Sequence, residues 1–127
     1  MSSVLDASAV LALLRGESGA QRVTDAIDDG AYISAVNLTE VVTRQFDRGM
    51  PESDARKSIA RLAMTVVPFD EELAYRAGLL RTMTKSAGLS LGDRACLALA
   101  ESLGVPAVTA DRAWGTLQIG IQVDVIR

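Results

Sequence analysis

Short β-prone runs alternate with longer stretches of helical periodicity along this 127-residue chain, and that alternation restricts its fold more than any other feature. An opening strand through Leu5 is followed by Ala31-Tyr32-Ile33, Thr65-Val66-Val67, Val105–Thr109 and Ile121–Ile126. Between them, Ala9 to Arg15 reads as a helix interrupted by Gly16 and Gly19, and Gln21 to Asp29 resumes it until Gly30. Ser34 to Gln45 turns helical, with Val36, Val41, Val42 and Phe46 among its apolar positions, and Pro51 opens another helix with Ile59, Leu62 and Ala63 inward. Asp70-Glu71-Glu72 caps a helix that spaces Leu73, Ala77, Leu80 and Met83 up to Gly88. Ser90 N-caps the last one, almost continuously apolar from Ala95 to Ala100 and stopped by Gly104. Strands that alternate with helices predict a parallel sheet covered on both faces and joined by right-handed crossovers. With only 4% aromatic residues, the composition favours layered helices and strands over an aromatic-centred sandwich. No repeat or low-complexity linker divides the chain, so residues 1–127 are expected to form one domain.

Within the first apolar run, Val4 to Leu14, one residue is out of place: Asp6. An ionised carboxylate is seldom tolerated in such surroundings unless something offsets its lost hydration. A strand ending at Leu5 would put it on the carboxyl edge of the sheet, where open α/β sheets bind ligands. Glu40, Asp93 and Asp111 occupy equivalent positions, just past a strand or in the first turns of the helix after it. Asp70 stands apart, because Glu71 and Glu72 make it part of an ordinary acidic first turn.

The chain contains no histidine and one cysteine, Cys96. Histidine-based catalytic triads and histidine-ligated zinc or iron are excluded within the chain, as is an intrachain disulfide. Polar chemistry must then rest on carboxylates, hydroxyls and the basic residues. Carboxylates within about 4 Å of each other repel by roughly 4 kcal/mol per pair at an effective dielectric near 20. A cluster of four therefore calls for a hard cation such as Mg²⁺ or Mn²⁺, and the natural chemistry of such a site is phosphodiester hydrolysis. The net charge of -3 provides no global field for nucleic acid, although clustered site acids alone can produce such an excess.

Plainer readings stand beside this one. Asn37-x-x-Glu40 and Ser90-x-x-Asp93 both have the form of capping boxes, and either acid taken singly is explained as well that way. Asp111 alone reads better as a turn or cap residue before Trp114, and Ser8 reads as a helix cap ahead of a ligand to bound water. Cys96 is most simply a small core residue, and Glu17, Asp25, Asp28 and Asp29 a solvated face. The longest apolar run is far short of the roughly 20 residues of a membrane span and lacks a basic residue before it, so a cytoplasmic protein without membrane attachment is expected.

Four segments together carry a likeness that none carries singly. Val4-Leu5-Asp6-Ala7-Ser8-Ala9, Ser34-Ala35-Val36-Asn37-Leu38-Thr39-Glu40, Leu89 through Ala100 with its Asp93, and Val108-Thr109-Ala110-Asp111-Arg112-Ala113-Trp114 resemble, in order, the motifs of PIN-domain ribonucleases of the VapC-like toxin type. The resemblance spans essentially the whole chain. It implies a three-layer α/β/α sandwich with a parallel sheet of four to five strands and the Asp6 strand at its centre. It further implies a Mg²⁺- or Mn²⁺-dependent endoribonuclease acting on RNA, with metal ligands at Asp6, Glu40, Asp93 and Asp111 and Thr109 in support. A cognate antitoxin that obstructs the acidic pocket and a homodimer belong to the same expectation. Gly92 stands where the family more often has Ala. Ser8 is assigned a supporting role, and Arg94 and Arg112, each beside a site acid, are the candidate phosphate contacts. The rival readings are a receiver-like phospho-acceptor domain, which lacks its early acidic pair here, and a catalytically silent binding module on the same fold.

Overall fold

The computed structural model describes residues 1–127. Its five strands, β1 (Ser3–Leu5), β2 (Ala31–Ser34), β3 (Thr65–Val67), β4 (Ala107–Thr109) and β5 (Val123–Val125), form one sheet in the order β3-β2-β1-β4-β5. Every neighbouring pair is parallel, as the strand–helix alternation predicts. β1 is central, hydrogen-bonded to β2 on one side and β4 on the other, so the chain's first strand lies where the strand order reverses.

Six helices cover the two faces: α1 (Ala7–Leu14), α2 (Ala20–Asp28), α3 (Ala35–Asp47), α4 (Glu52–Ala60), α5 (Glu71–Thr84) and α6 (Leu91–Leu103). Alternation along the buried strands separates two cores. Val4 and Ala107 join α5, α6 and Trp114, while Leu5 and Val108 join Ala9, Val10, Val23 and Val41 of α1 to α3. Residues Ala95 to Ala100 of α6 are all buried, which explains why that helix has almost no polar face over those turns.

The departures from the sequence expectation lie at element ends. α1 begins two residues early because Asp6, not Ser8, is its N-cap, accepting from the Ala9 amide at 2.8 Å. α3 is capped by Ser34, so Asn37 and Glu40 do not form a capping box. Ala63, expected to face inward, lies beyond the end of α4 in an exposed turn at φ 54°. On α5 the buried positions are Leu73, Ala77, Leu80 and Thr84, with Met83 exposed. Thr84 replaces Met83 in the core because its hydroxyl is already satisfied by the Leu80 carbonyl at 2.8 Å. No helix is long and apolar enough to cross a membrane.

Candidate active site

Parallel strands deliver whatever follows them to one edge, and four separate units deliver an acid there. Asp6 follows β1, Glu40 lies one turn into α3 after β2, and Asp111 follows β4; Asp93, expected just past a strand or in the helix after one, is instead in the first turn of α6, which follows α5, and is brought to the edge by helix packing. All four line a cavity of about 180 Å³, together with Ser8, Asn37 and Arg44. Larger cavities lie elsewhere, of about 610 Å³ between α3 and α4 and about 450 Å³ between α1 and α3, but neither is lined by any of these four acids.

Asp6 is the buried member, only 4% exposed. Its Oδ1 accepts from the Ser8 hydroxyl at 2.7 Å and the Ala9 amide at 2.8 Å, and its Oδ2 from the Thr109 hydroxyl at 2.5 Å. Ser8 in turn accepts from the Ala110 amide at 2.9 Å, and Thr109 from the Asp111 amide at 3.0 Å. The two hydroxyls thus tie the end of β1 to the end of β4 through one carboxylate. Burial nevertheless raises the Asp6 pKa from 3.8 to about 6, against the lowering effect of those hydrogen bonds, and the Asp93 charge raises it a little further.

The other three acids face the opening. Asp93 shares a true capping box with Ser90: its Oδ2 accepts from the Ser90 amide at 2.9 Å while the Ser90 hydroxyl accepts from the Asp93 amide. Asp111 caps a short 3₁₀ turn, accepting from the Ala113 amide at 3.0 Å. Both local readings are therefore correct as far as they go, and both residues also line the cavity. Glu40 is held by the Asn37 amide, which donates to Glu40 Oε1 at 2.9 Å and to the Gly92 carbonyl at 3.0 Å. The missing side chain at position 92 makes room for this arrangement, since a Cβ there would come within 2.4 Å of Glu40 Oε1.

The donor set suits a hard divalent cation. It is all oxygen, and Glu40 Oε2, Asp93 Oδ1 and Asp111 Oδ2 have no protein donor. The Asn37 Oδ1, buried in the cavity wall, has no partner either. At the same time, no three of the acids stand together as a preformed metal-holding group. Like charges without a counterion keep apart, and the Asn37 amide draws Glu40 to the α6 side.

The two arginines singled out in the sequence are directed elsewhere. Arg94 donates to the Ala77 carbonyl of α5 at 2.9 Å, Arg112 donates to the carbonyl of Arg127, and neither lines the cavity. Asn37 and Arg44 also line the cavity, and motif reasoning did not single them out as site residues. Their signal was available in helical spacing, because residues three before and four after Glu40 share its face of α3. Cys96 is fully buried beneath the site, its thiol pushed up by burial and then by Asp6, Asp93 and Glu40, which leaves it a core residue.

Comparison with known proteins agrees with this architecture. Residues 3–118 match the family model of the PIN domain. Among solved structures, VapBC2 from Rickettsia felis bound to a DNA fragment from its promoter superposes with a TM-score of 0.77 at 13% identity, with 100% of each chain covered. DNA-bound VapBC from Salmonella typhimurium gives 0.77 at 17% identity, covering 100% of this chain and 99% of that one. VapC20 of Mycobacterium tuberculosis, a sarcin–ricin loop cleaving toxin, gives 0.73 at 17% identity, covering 95% and 99%. No curated protein matches the chain in sequence.

Proposed function

The chain belongs to the PIN-domain family, and from that premise we propose that it is an endoribonuclease toxin that hydrolyses RNA phosphodiester bonds with Mg²⁺ or Mn²⁺ and is neutralised by a cognate antitoxin. One observation carries the reading: four carboxylates from four separate strand and helix units converge on a single cavity at the carboxyl edge of the sheet. A stability-driven arrangement would disperse them, because each adds repulsion that folding must overcome.

Asp6, Glu40, Asp93 and Asp111 would hold the metal. A bound Mg²⁺ or Mn²⁺ supplies charge neutralisation, polarisation of a phosphoryl oxygen and a water acidic enough to attack it. The residues of the chain do the rest. Ser8 and Thr109 fix the Asp6 carboxylate from both sides, so that its oxygens keep one orientation. Glu40, with Oε2 free, orients the attacking water, and Asn37 restrains the side chain through Oε1. Asp93 and Asp111 each accept a backbone amide on one oxygen and keep the other free at the cavity.

The toxin assignment is supported by the company the fold keeps, since the solved structures it superposes on include a toxin–antitoxin complex from Klebsiella pneumoniae and a member of the VapBC family of toxin–antitoxin systems from Mycobacterium tuberculosis. A cytoplasmic location and a homodimer accompany that assignment. Cleavage of single-stranded RNA by the purified chain, free of any antitoxin, tests it. Activity is expected with Mg²⁺ or Mn²⁺, absent with EDTA, and reduced more than about 100-fold in Asp6→Asn. EDTA-resistant cleavage, or full activity in that variant, would overturn the mechanism.

A further inference from the structure

The acidic cavity does not end at its carboxylates. Arg44, one helical turn beyond Glu40 on α3, lines it, and the neighbouring cavity between α1 and α3 is lined by Arg15 and Arg48. Leu11 is common to both, so the two hollows adjoin at that side chain. All three arginines are exposed, and none has a hydrogen-bond or ion-pair partner, whereas Arg22, Arg56, Arg76 and Arg127 are each paired with an acid. Three unspent guanidinium groups therefore lie along one groove that leads directly out of a site of opposite sign.

We propose that this α1–α3 groove is the track for the sugar–phosphate backbone of single-stranded RNA on one side of the scissile bond, with Arg44 nearest the cleaved phosphate and Arg15 and Arg48 beyond it. The inference rests on the nuclease reading and adds to it where the substrate lies. An all-acid site repels the polyanion it must cleave, so attraction has to come from beside the carboxylates, and guanidinium forks suit phosphate oxygens. The chain's net charge of -3 gives no general attraction, which makes a local cationic track the needed element. Arg15 and Arg48 are the C-caps of α1 and α3, and Arg44 is in the last turn of α3, so helix-end electrostatics is the competing explanation. The two explanations differ in what they make the arginines stabilise.

The test is fluorescence anisotropy of a labelled single-stranded RNA of mixed sequence, bound by the non-cleaving Asp6→Asn chain in Mg²⁺ over a range of salt. Each phosphate contact contributes about 0.7 to the magnitude of the log–log salt slope on a single strand. Arg15→Gln, Arg44→Gln and Arg48→Gln should each lower the slope by about that amount, and the triple variant by about 2. Arg81→Gln, on α5, should leave it unchanged. An unaltered slope in the triple variant overturns the track, and an unaltered slope with a lowered melting temperature assigns the arginines to the helix ends. If the same groove binds poly-glutamate as well as RNA and with the same loss on substitution, its occupant is an acidic protein segment and the proposal is wrong. If the Asp6→Asn chain binds no RNA at any salt, the nuclease reading itself fails and the track with it.

Discussion

Asp6 takes three protein donors where Glu40, Asp93 and Asp111 each take one, and it still ionises reluctantly. Its pKa of about 6 in the fold, against 3.8 ordinarily, means that the folded chain binds a proton more tightly than the unfolded one between those values. The contribution of Asp6 to stability without divalent cations should therefore be fullest below about pH 4 and fall as pH rises towards 6, by about 3 kcal/mol at 1.36 kcal/mol per pH unit, a decline isolated by the difference between the wild-type chain and Asp6→Asn. Denaturant melts in EDTA at successive pH values should show this decline, and Asp6→Asn should flatten it while raising stability at pH 8. A variant that is more stable and inactive would identify Asp6 as a charge kept for function against the interest of the fold. The hydroxyls offer a second measurement at the same scale. Thr109→Ala leaves Asp6 Oδ2 without its donor, and cleavage is expected to fall about 10–100-fold. The sequence made Asp6 conspicuous because its neighbours are apolar, but it concealed the division of labour in which Asp6, not Ser8, caps α1 and Ser8 instead joins β1 to β4. Capping and ligation use the same residue types at the same spacing, and only the partner across the sheet distinguishes them.

At the scale of elements, α5 carries the clearest unpartnered surface. Tyr75, Leu79 and Met83 form a stripe at four-residue spacing, 67%, 69% and 56% exposed. Acidic Glu71 and Glu72 precede the stripe, and basic Arg81 and Lys85 accompany its end, so two copies of α5 laid antiparallel would bring opposite charges together. The homodimer proposed for this chain would use that face, and Leu79→Glu should convert it to a monomer in light scattering at micromolar concentration. A wild-type chain that is monomeric throughout removes the dimer from the proposal. The helix was legible in the sequence through Leu73, Ala77 and Leu80, but its faces were not fully so. A threonine whose hydroxyl bonds back to the preceding turn can enter a core, and a methionine one position away can be left out, which hydropathy does not register. Gly92 shows the same limit. As a helix residue it reads only as a weakness, whereas its lack of a side chain lets the Glu40 carboxylate rest against α6.

For the molecule as a whole, the site exists only because the sheet order brings residues 6, 40, 93 and 111 to one edge, and that order has β1 at its centre. Asp6, Glu40 and Asp111 were readable in advance because each follows a strand, and a parallel sheet gives all such positions one destination, whereas Asp93 follows the helix α5 and reaches the same edge only through the packing of α6. The arginines of the α1–α3 groove were not, since Arg15 and Arg48 come from helix ends whose adjacency depends on how α1 packs on α3. The open spacing of the carboxylates gives the last expectation. Because no three of them form a ready-made ligand group, the proposed cation would have to draw them together against their repulsion, and in doing so would hold α1, α3 and α6 in one arrangement. Binding to the folded state alone stabilises by RT ln(1 + [L]/Kd), about 2.7 kcal/mol at a hundredfold excess over Kd. For a domain of this size that corresponds to a rise of roughly 10 °C in melting temperature. Mn²⁺ titration followed by thermal denaturation should show it. Asp93→Asn should abolish most of the rise, because it removes a ligand from the α6 side while the Ser90 hydroxyl still caps the helix. Gly92→Ala should alter the Mn²⁺ dependence by displacing the Glu40 carboxylate, at little cost to folding, since what its Cβ meets is the mobile end of a side chain. A melting temperature indifferent to Mn²⁺ at every concentration would show that the four acids do not act as one site.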